Sequence, residues 1–305
     1  MIIPYFTDNH ISGTNSENRV GNYLEDSLTK LEEILQVAKE NKSPFILCGG
    51  DLLDSPIISL TICDKILDLI EEYDIPIYTL IGNHPMVNHN WEVSQATTMA
   101  HMFRRSEVIR QLDTLEYPGL LIQGIDYEKD IETKLKLDGL RVDSKEERWS
   151  IAVVHALIMP KPFLPTVNHI TVQELECNYD IVLCAHYHQP FHKIIDEIHY
   201  VNPGCIGRTS IDEADIAPSI ILLDTEKRTN RRIILKSAKP KEEVFDLSKV
   251  AIKKEFNNEI EKFIESLQTT QFSDLDLIGI AKEICRKSEV SEEIAKIIID
   301  RITKS

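Results

Sequence analysis

The stretch FILCGGDLLD, residues 45–54, decides how the rest of the chain is read. Its first part, Phe45 to Leu47, is a short apolar run that ends shortly before a glycine pair, and Asp51 follows at once. An apolar run of that length, bounded by turn residues, reads as a buried strand. A polar residue just beyond such a strand stands in a loop at the sheet edge, where open α/β sheets place their sites. Taken alone, Asp51 reads as readily as a helix N-cap.

The arrangement recurs four more times. Met1 to Phe6 precedes Asp8 and His10 in TDNH, and Ile75 to Ile81 precedes Asn83 and His84 in IGNHP. Ile151 to Val154 precedes His155 in VVHA, and Ile181 to Cys184 precedes His186 and His188 in AHYH. Between these runs, Leu24, Leu28, Leu31, Leu35 and Ala38, and again Ile62, Ile66, Leu69 and Ile70, recur at helical spacing. Alternation of strand and helix predicts a layered α/β fold with the polar residues in loops along one edge.

Asp8, His10, Asp51, Asn83, His155, His186 and His188 are all of metal-ligand type. Two divalent cations a few ångströms apart need oxygen and imidazole donors, plus one carboxylate able to bridge them. Singly the signals are weak: with 10 His in 305 residues, a His-x-His pair is expected about 0.3 times by chance. Asp8 by itself is a turn carboxylate and His155 a hydrogen-bonded core histidine. The GNH triplet, however, is expected only about 0.02 times, and it falls in order between the aspartates and the later histidines. The ordered set points to a metal site.

These motifs resemble the calcineurin-type metallophosphoesterases, and most of all the SbcD branch of double-strand-break-repair nucleases. That signature is DxH, GDxxD or GDxxH, GNH, a lone His and GHxH, and it spans about residues 1 to 210. The fold it implies is a four-layer α/β sandwich, two face-to-face β-sheets flanked by helices. By resemblance, Asp8, His10 and His188 hold a first metal, Asn83, His155 and His186 hold a second, and Asp51 bridges both. A carboxylate can span two cations because it has two oxygens, whereas an imidazole offers one nitrogen at a time. The chemistry implied is in-line attack on phosphorus by a water acidified between the ions.

His84 and Asp54 are the catalytic candidates. His84 adjoins Asn83 without ligating and is placed to contact the phosphate and protonate the leaving oxygen, a task for a side chain that titrates near neutrality. Asp54 matches the second acid of GDxxD, the bacterial SbcD form, and supports the site from behind the ligands. Two departures leave the ligands intact. Pro85 stands where the family has an acid, and Ala185 replaces the glycine of GHxH, which is tolerable if that turn needs no positive φ. Asn202, Pro203 and Gly204 resemble an NPGS segment beside the site, although a plain Pro-Gly turn reads the same. Arg208, just beyond, is either a phosphate contact or a solvated surface residue.

The resemblance also implies two divalent ions, Mn²⁺ first, with Mg²⁺, Fe²⁺ or Zn²⁺ compatible with the donors. It implies DNA as substrate and an SbcC-type ATPase as partner, with homodimerisation a further option. A small-molecule or protein phosphodiesterase or phosphatase is the alternative activity. A scaffold that has lost catalysis is the alternative class, disfavoured because all seven ligands and His84 are present. The formal net charge of −16 argues against DNA binding by the chain alone, since such proteins carry a basic face. The basic stretch from Lys227 to Lys241 reads either as a face for phosphates or as a charged edge strand of a final hairpin.

Hydrophobic content of 42% is ample for a core. Six cysteines without CxxC spacing read as reduced core thiols. With no signal peptide or bilayer-length apolar segment in view, a cytoplasmic protein without membrane contact is expected. A catalytic domain over 1–240 is followed by a helical region over 241–305, with helices expected at 254–268, 275–287 and 292–303. That tail is a reduced cap, a partner-docking or dimerisation element, or packing on the sheet.

Overall fold

The computed structural model describes residues 1–142, 147–164 and 166–248, together with Cys285, Ala295, Lys296 and Ile299. The chain divides into two compact units, Met1–Phe245 and Asp246–Ser305. The three C-terminal helices expected from sequence lie outside the described residues apart from those four single positions, so the architecture below is that of the first unit.

Its elements begin with β1 (Ile2–Phe6), α1 (Tyr23–Glu40), β2 (Ile46–Cys48), α2 (Leu60–Tyr73), β3 (Ile77–Thr79), α3 (Thr98–Arg105) and β4 (Ile109–Gln111). They continue with β5 (Thr114–Tyr117), β6 (Leu120–Ile125), α4 (Ile131–Asp138), β7 (Trp149–Val154), β8 (Ile158–Met159), β9 (Ile170–Thr171) and β10 (Ile181–Cys184). The last are β11 (Phe191–Ile195), β12 (Ile198–Asn202), β13 (Ser219–Asp224), β14 (Thr229–Ile234) and α5 (Lys241–Val244). One six-stranded sheet runs β14-β13-β1-β2-β3-β4 and the other β11-β12-β10-β7-β6-β5. The strands from β1 to β4 are parallel, as are β6, β7, β10 and β12. All five loops that carry the expected ligands leave C-terminal strand ends, the placement the apolar runs predicted.

Period-two alternation makes the layers. In β2, Leu47 packs with Tyr5, Ile151, Val153, Ile181 and Leu183 between the sheets, while Ile46 and Cys48 face Leu31, Ile34, Leu35, Ile66 and Ile70 of α1 and α2. In the second sheet, Ala152, Val154, Val182 and Cys184 turn outward onto Ile131 and Leu135 of α4. The result is the four-layer α/β sandwich: helices, sheet, sheet, helix.

Burial decides the helices more than their ends do. Asn22 caps α1 by accepting from the Glu25 amide at 3.2 Å, and a cap is worth about 1 kcal/mol. Leu31, Ile34 and Leu35 are fully buried, each contributing about 1.5–3 kcal/mol. The basic stretch contains β14, an edge strand paired antiparallel with β13 as a hairpin. All six cysteines are free, and five are buried. Among the described residues no helix is long and apolar enough to cross a membrane.

Candidate metal centre

The loops that carry the ligands are forced into unusual backbone. Asp8, His10, Asp51 and His186 have φ of 53°, 52°, 46° and 69°. Asp and His tolerate this left-handed region better than most residues, at a cost of about 1–2 kcal/mol each. Ala185 does not share it; the positive φ falls one residue later, so the missing glycine leaves no strain at 185. Gly50 does need its freedom, with φ of 109° and the His155 ring where a Cβ would sit, and at Gly82 a Cβ would overlap the Asp51 carboxylate. The loops are also laced together: the His10 amide donates to the Asp51 carbonyl at 2.9 Å, and the His186 amide to Asp8 Oδ2 at 3.2 Å.

Asp8, His10 and His188 form one group, with donor atoms within 4.8 Å of one another. His10 Nε2 and His188 Nε2 are 3.2 Å apart, and each is 3.8 Å from Asp8 Oδ1. Two nitrogens held about 2.1 Å from one ion at a right angle lie about 3 Å apart, so the spacing suits a shared cation. A carboxylate stands behind each ring. His188 Nδ1 contacts the Glu213 carboxylate, and His10 Nδ1 lies 3.2 Å from Asp54 Oδ1, near but not aligned as a hydrogen bond.

Asp51, His155 and His186 form a second group. His155 Nε2 is 3.3 Å from Asp51 Oδ2 and 3.2 Å from Asn83 Oδ1, while its Nδ1 is 2.7 Å from the Gly49 carbonyl. Asp51 also belongs to a group with His10 and His84, so its carboxylate stands between the two sets. Burial alone would raise its pKa, but the neighbouring His155 charge holds it well below the usual carboxylate range. Burial likewise pushes His155 down, and Asp51 outweighs it, raising the imidazole to about 9. His186, buried beside that cation, is lowered to about 3.

Do cations fit here? Asp8 Oδ1 and Asp51 Oδ2 are buried with no hydrogen-bond partner among the described residues. Buried ionised groups are paired or coordinate metal, because stripping their water otherwise costs several kcal/mol. Each orphaned oxygen faces one imidazole group. The donor set of carboxylate, imidazole and amide oxygen suits a divalent transition ion.

His84 stands at the open side, 40% exposed against 0% for the side chains of His155 and Asp51. Its amide donates to Asp51 Oδ1 at 3.0 Å. Its Nδ1 sits 3.0 Å from the Asp54 carbonyl and 3.4 Å from Asp54 Oδ1, which leaves Nε2 as the outward edge. The Asp54 hydrogen bond is the main cause that raises His84 to about 9, against burial. Burial works against Asp54 too, yet its contacts with His10 and His84 bring it down to about 2.

The model of the calcineurin-like phosphoesterase superfamily domain matches residues 1–228. The chain belongs to this superfamily. By family the phosphoesterase is a metal-dependent phosphoester hydrolase. It is 22% identical over 284 residues to the double-strand break repair protein MRE11 of Encephalitozoon cuniculi, covering 79% of this chain and 48% of that one. The phosphoesterase thus spans about half the length of the curated relative it matches. Solved structures similar to it include an archaeal phosphodiesterase at 16% identity and TM-score 0.40, covering 77% of this chain and all of that one. A dimetal phosphatase from Danio rerio aligns at 10% identity and TM-score 0.47 over 77% of this chain and 98% of its own.

The structure brings together all seven ligand-type residues with His84 and Asp54, and adds residues that sequence reasoning missed. Glu213 is one. Its only local signal is a capping box, Ser210 with Glu213 three residues on, which marks a helical turn and not a histidine partner. Tyr127 is another, its ring 5.8 Å from that of His186 and 6.2 Å from that of His155. Arg208 fits neither sequence reading: only 3% exposed, it donates to the Lys239 carbonyl at 2.7 Å. Asn202 does brace the site, donating to the Tyr187 carbonyl at 2.6 Å and accepting from Gly204 at 2.7 Å.

Proposed function

We propose that this phosphoesterase is a two-metal phosphodiesterase whose substrate is DNA. The observation that carries the reading is the Asp51 carboxylate, buried between two imidazole groups with one oxygen unpartnered. Asp8, His10 and His188 would hold one ion, Asn83, His155 and His186 the other, and Asp51 would touch both. Two bound divalent ions supply charge against the phosphoryl oxygens and acidity for the attacking water. The chain's own part is separable from that. Asp54 fixes the His84 ring through Nδ1, so that Nε2 can hold a proton toward the leaving oxygen. The Gly49 carbonyl and Glu213 set the tautomers of His155 and His188, turning Nε2 of each inward.

DNA as the substrate rests on the SbcD-like motif order and on the similarity to a double-strand break repair protein. Manganese as the ion, an SbcC-type ATPase that adds grip on DNA, a homodimer, and a docking role for the C-terminal region belong to the same proposal. So does the division into a catalytic part over 1–240 and a partner-facing part after it. A specific observation favours a second reading: with a net charge of −16, a small phosphodiester is met with less repulsion than a polyanion.

The deciding experiment offers linear duplex DNA, single-stranded DNA and bis-p-nitrophenyl phosphate to the chain side by side, with manganese. Cleavage of DNA and of the small ester supports the first reading. Hydrolysis of the small ester alone moves the function to the second. Metal uptake without turnover of any substrate would refute both.

A further inference from the structure

The free edges of the two sheets, β14 and β11, flank a cleft of about 180 Å³ whose walls include Pro190, His192, Asn202, Asn230 and Arg232. Among the described residues no acidic one lines it. That is unusual for a chain with 50 Asp and Glu against 34 Lys and Arg. The groove between α1 and α2 carries Glu25 and Glu32, that between α1 and β14 carries Glu33 and Glu40, and that beside β12 carries Glu176 and Asp196.

Arg232 and Asn230 bring N–H donors to the cleft. Asn230 and Arg232 pair with Leu223 and Ile221, two residues of the core between the sheets, so strand alternation turns both inward. Arg232 is locked by bonds from Nε to Ser219 Oγ at 2.6 Å and from Nη2 to the Ala217 carbonyl at 3.2 Å. Among the described residues three of its five N–H groups have no partner. Across the gap, His192 Nε2 lies 3.2 Å from His199 Nδ1, which lies 3.3 Å from Asn230 Nδ2. An amide nitrogen can only donate, so His199 Nδ1 is an acceptor and His192 Nε2 carries the hydrogen toward it. A fixed guanidinium and an amide with a second N–H to give, with no carboxylate beside them among the described residues, make a setting for an oxyanion, and for phosphate above all.

The cleft also shares a loop with the metal centre. Pro190 follows His188 by two residues, and Asn202 on the opposite wall donates to the carbonyl of Tyr187, between His186 and His188. We propose that this cleft is a phosphate subsite, which takes a backbone phosphate of the strand that is cut at the metal centre. It rests on the nucleic-acid reading above.

The test uses the full chain with measured metal content, a labelled oligothymidylate, and a salt series. Asn230→Asp keeps the shape of the side chain and places a carboxylate in the cleft; His192→Ala removes an imidazole. Lys193→Gln, on the other face of β11, is the control. Both cleft variants should weaken oligonucleotide binding, Asn230→Asp by about tenfold. Asn230→Asp should also lower the slope of log affinity against log salt by about 0.7. The melting temperature and the hydrolysis of bis-p-nitrophenyl phosphate should stay at the parent level. Unchanged oligonucleotide binding in Asn230→Asp overturns the proposal, as does an equal loss of small-ester hydrolysis, which would mean that the change acts through the loop. Inorganic phosphate separates the sources: competition with oligonucleotide in the parent, lost in Asn230→Asp, supports a strand phosphate. Phosphate binding that leaves oligonucleotide binding untouched assigns the cleft to the free ion and overturns it. If the parent hydrolyses the small ester and binds no oligonucleotide, the nucleic-acid reading fails first.

Discussion

Behind the first group of ligands stand two carboxylates; behind the second stands a backbone carbonyl. His188 leans on Glu213 and His10 on Asp54, whereas His155 leans on the Gly49 carbonyl and its neighbour Asn83 is neutral. A carboxylate behind an imidazole makes it a better donor and adds charge attractive to a dication. On the proposed two-metal reading, the first half, with Asp8, Asp54 and Glu213 close by, would bind an ion more tightly than the second, and Asp51 belongs to a candidate group on each side. Two similar ligand sets on one pair of sheets differ mainly in what supports them.

The severest way to break this comparison is to remove the shared group. Asp51→Asn should weaken both ions together and lower turnover by about 10³-fold, since several kcal/mol of charge stabilisation are lost. Metal analysis that finds one ion still bound at parental affinity would show that the carboxylate does not serve both halves. His84→Ala should leave both halves intact while turnover falls by about 10²–10⁴-fold, because the residue faces substrate and not metal. Loss of metal in that variant would reassign His84 to the ligand set. The mildest change sharpens the asymmetry: Glu213→Gln should weaken the first ion by about tenfold and Glu213→Ala by about a hundredfold. In a two-step metal titration only the tighter step should move; a shift of the weaker step instead would invert the ranking of the halves.

Much of this was legible along the chain. The five strands that precede ligands each appeared as an apolar run, and α1 and α2 appeared as helical spacing, because burial writes a period of two or 3.6 into neighbouring residues. The ordered ligand types were legible for a related reason: each follows its own strand directly. Glu213 was not, since 25 residues separate it from His188 and its capping box explains it fully without the metal centre. Arg208 was misplaced by both sequence readings, because it is buried and its partner, the Lys239 carbonyl, lies 31 residues away. The acid-free cleft was hidden too, since Asn230 and His199 come from different sheets.

By itself, then, the order of residues determined the strand and helix alternation, the residue types that reach the strand ends, and the family. Those are local properties, set by periodicity and by the residue next in line. Only the tertiary structure decided which imidazoles stand together, which groups stand behind each, and which oxygens are left without a partner among the described residues. Those depend on distances of about 3 Å between groups far apart in the chain, and no local pattern encodes them.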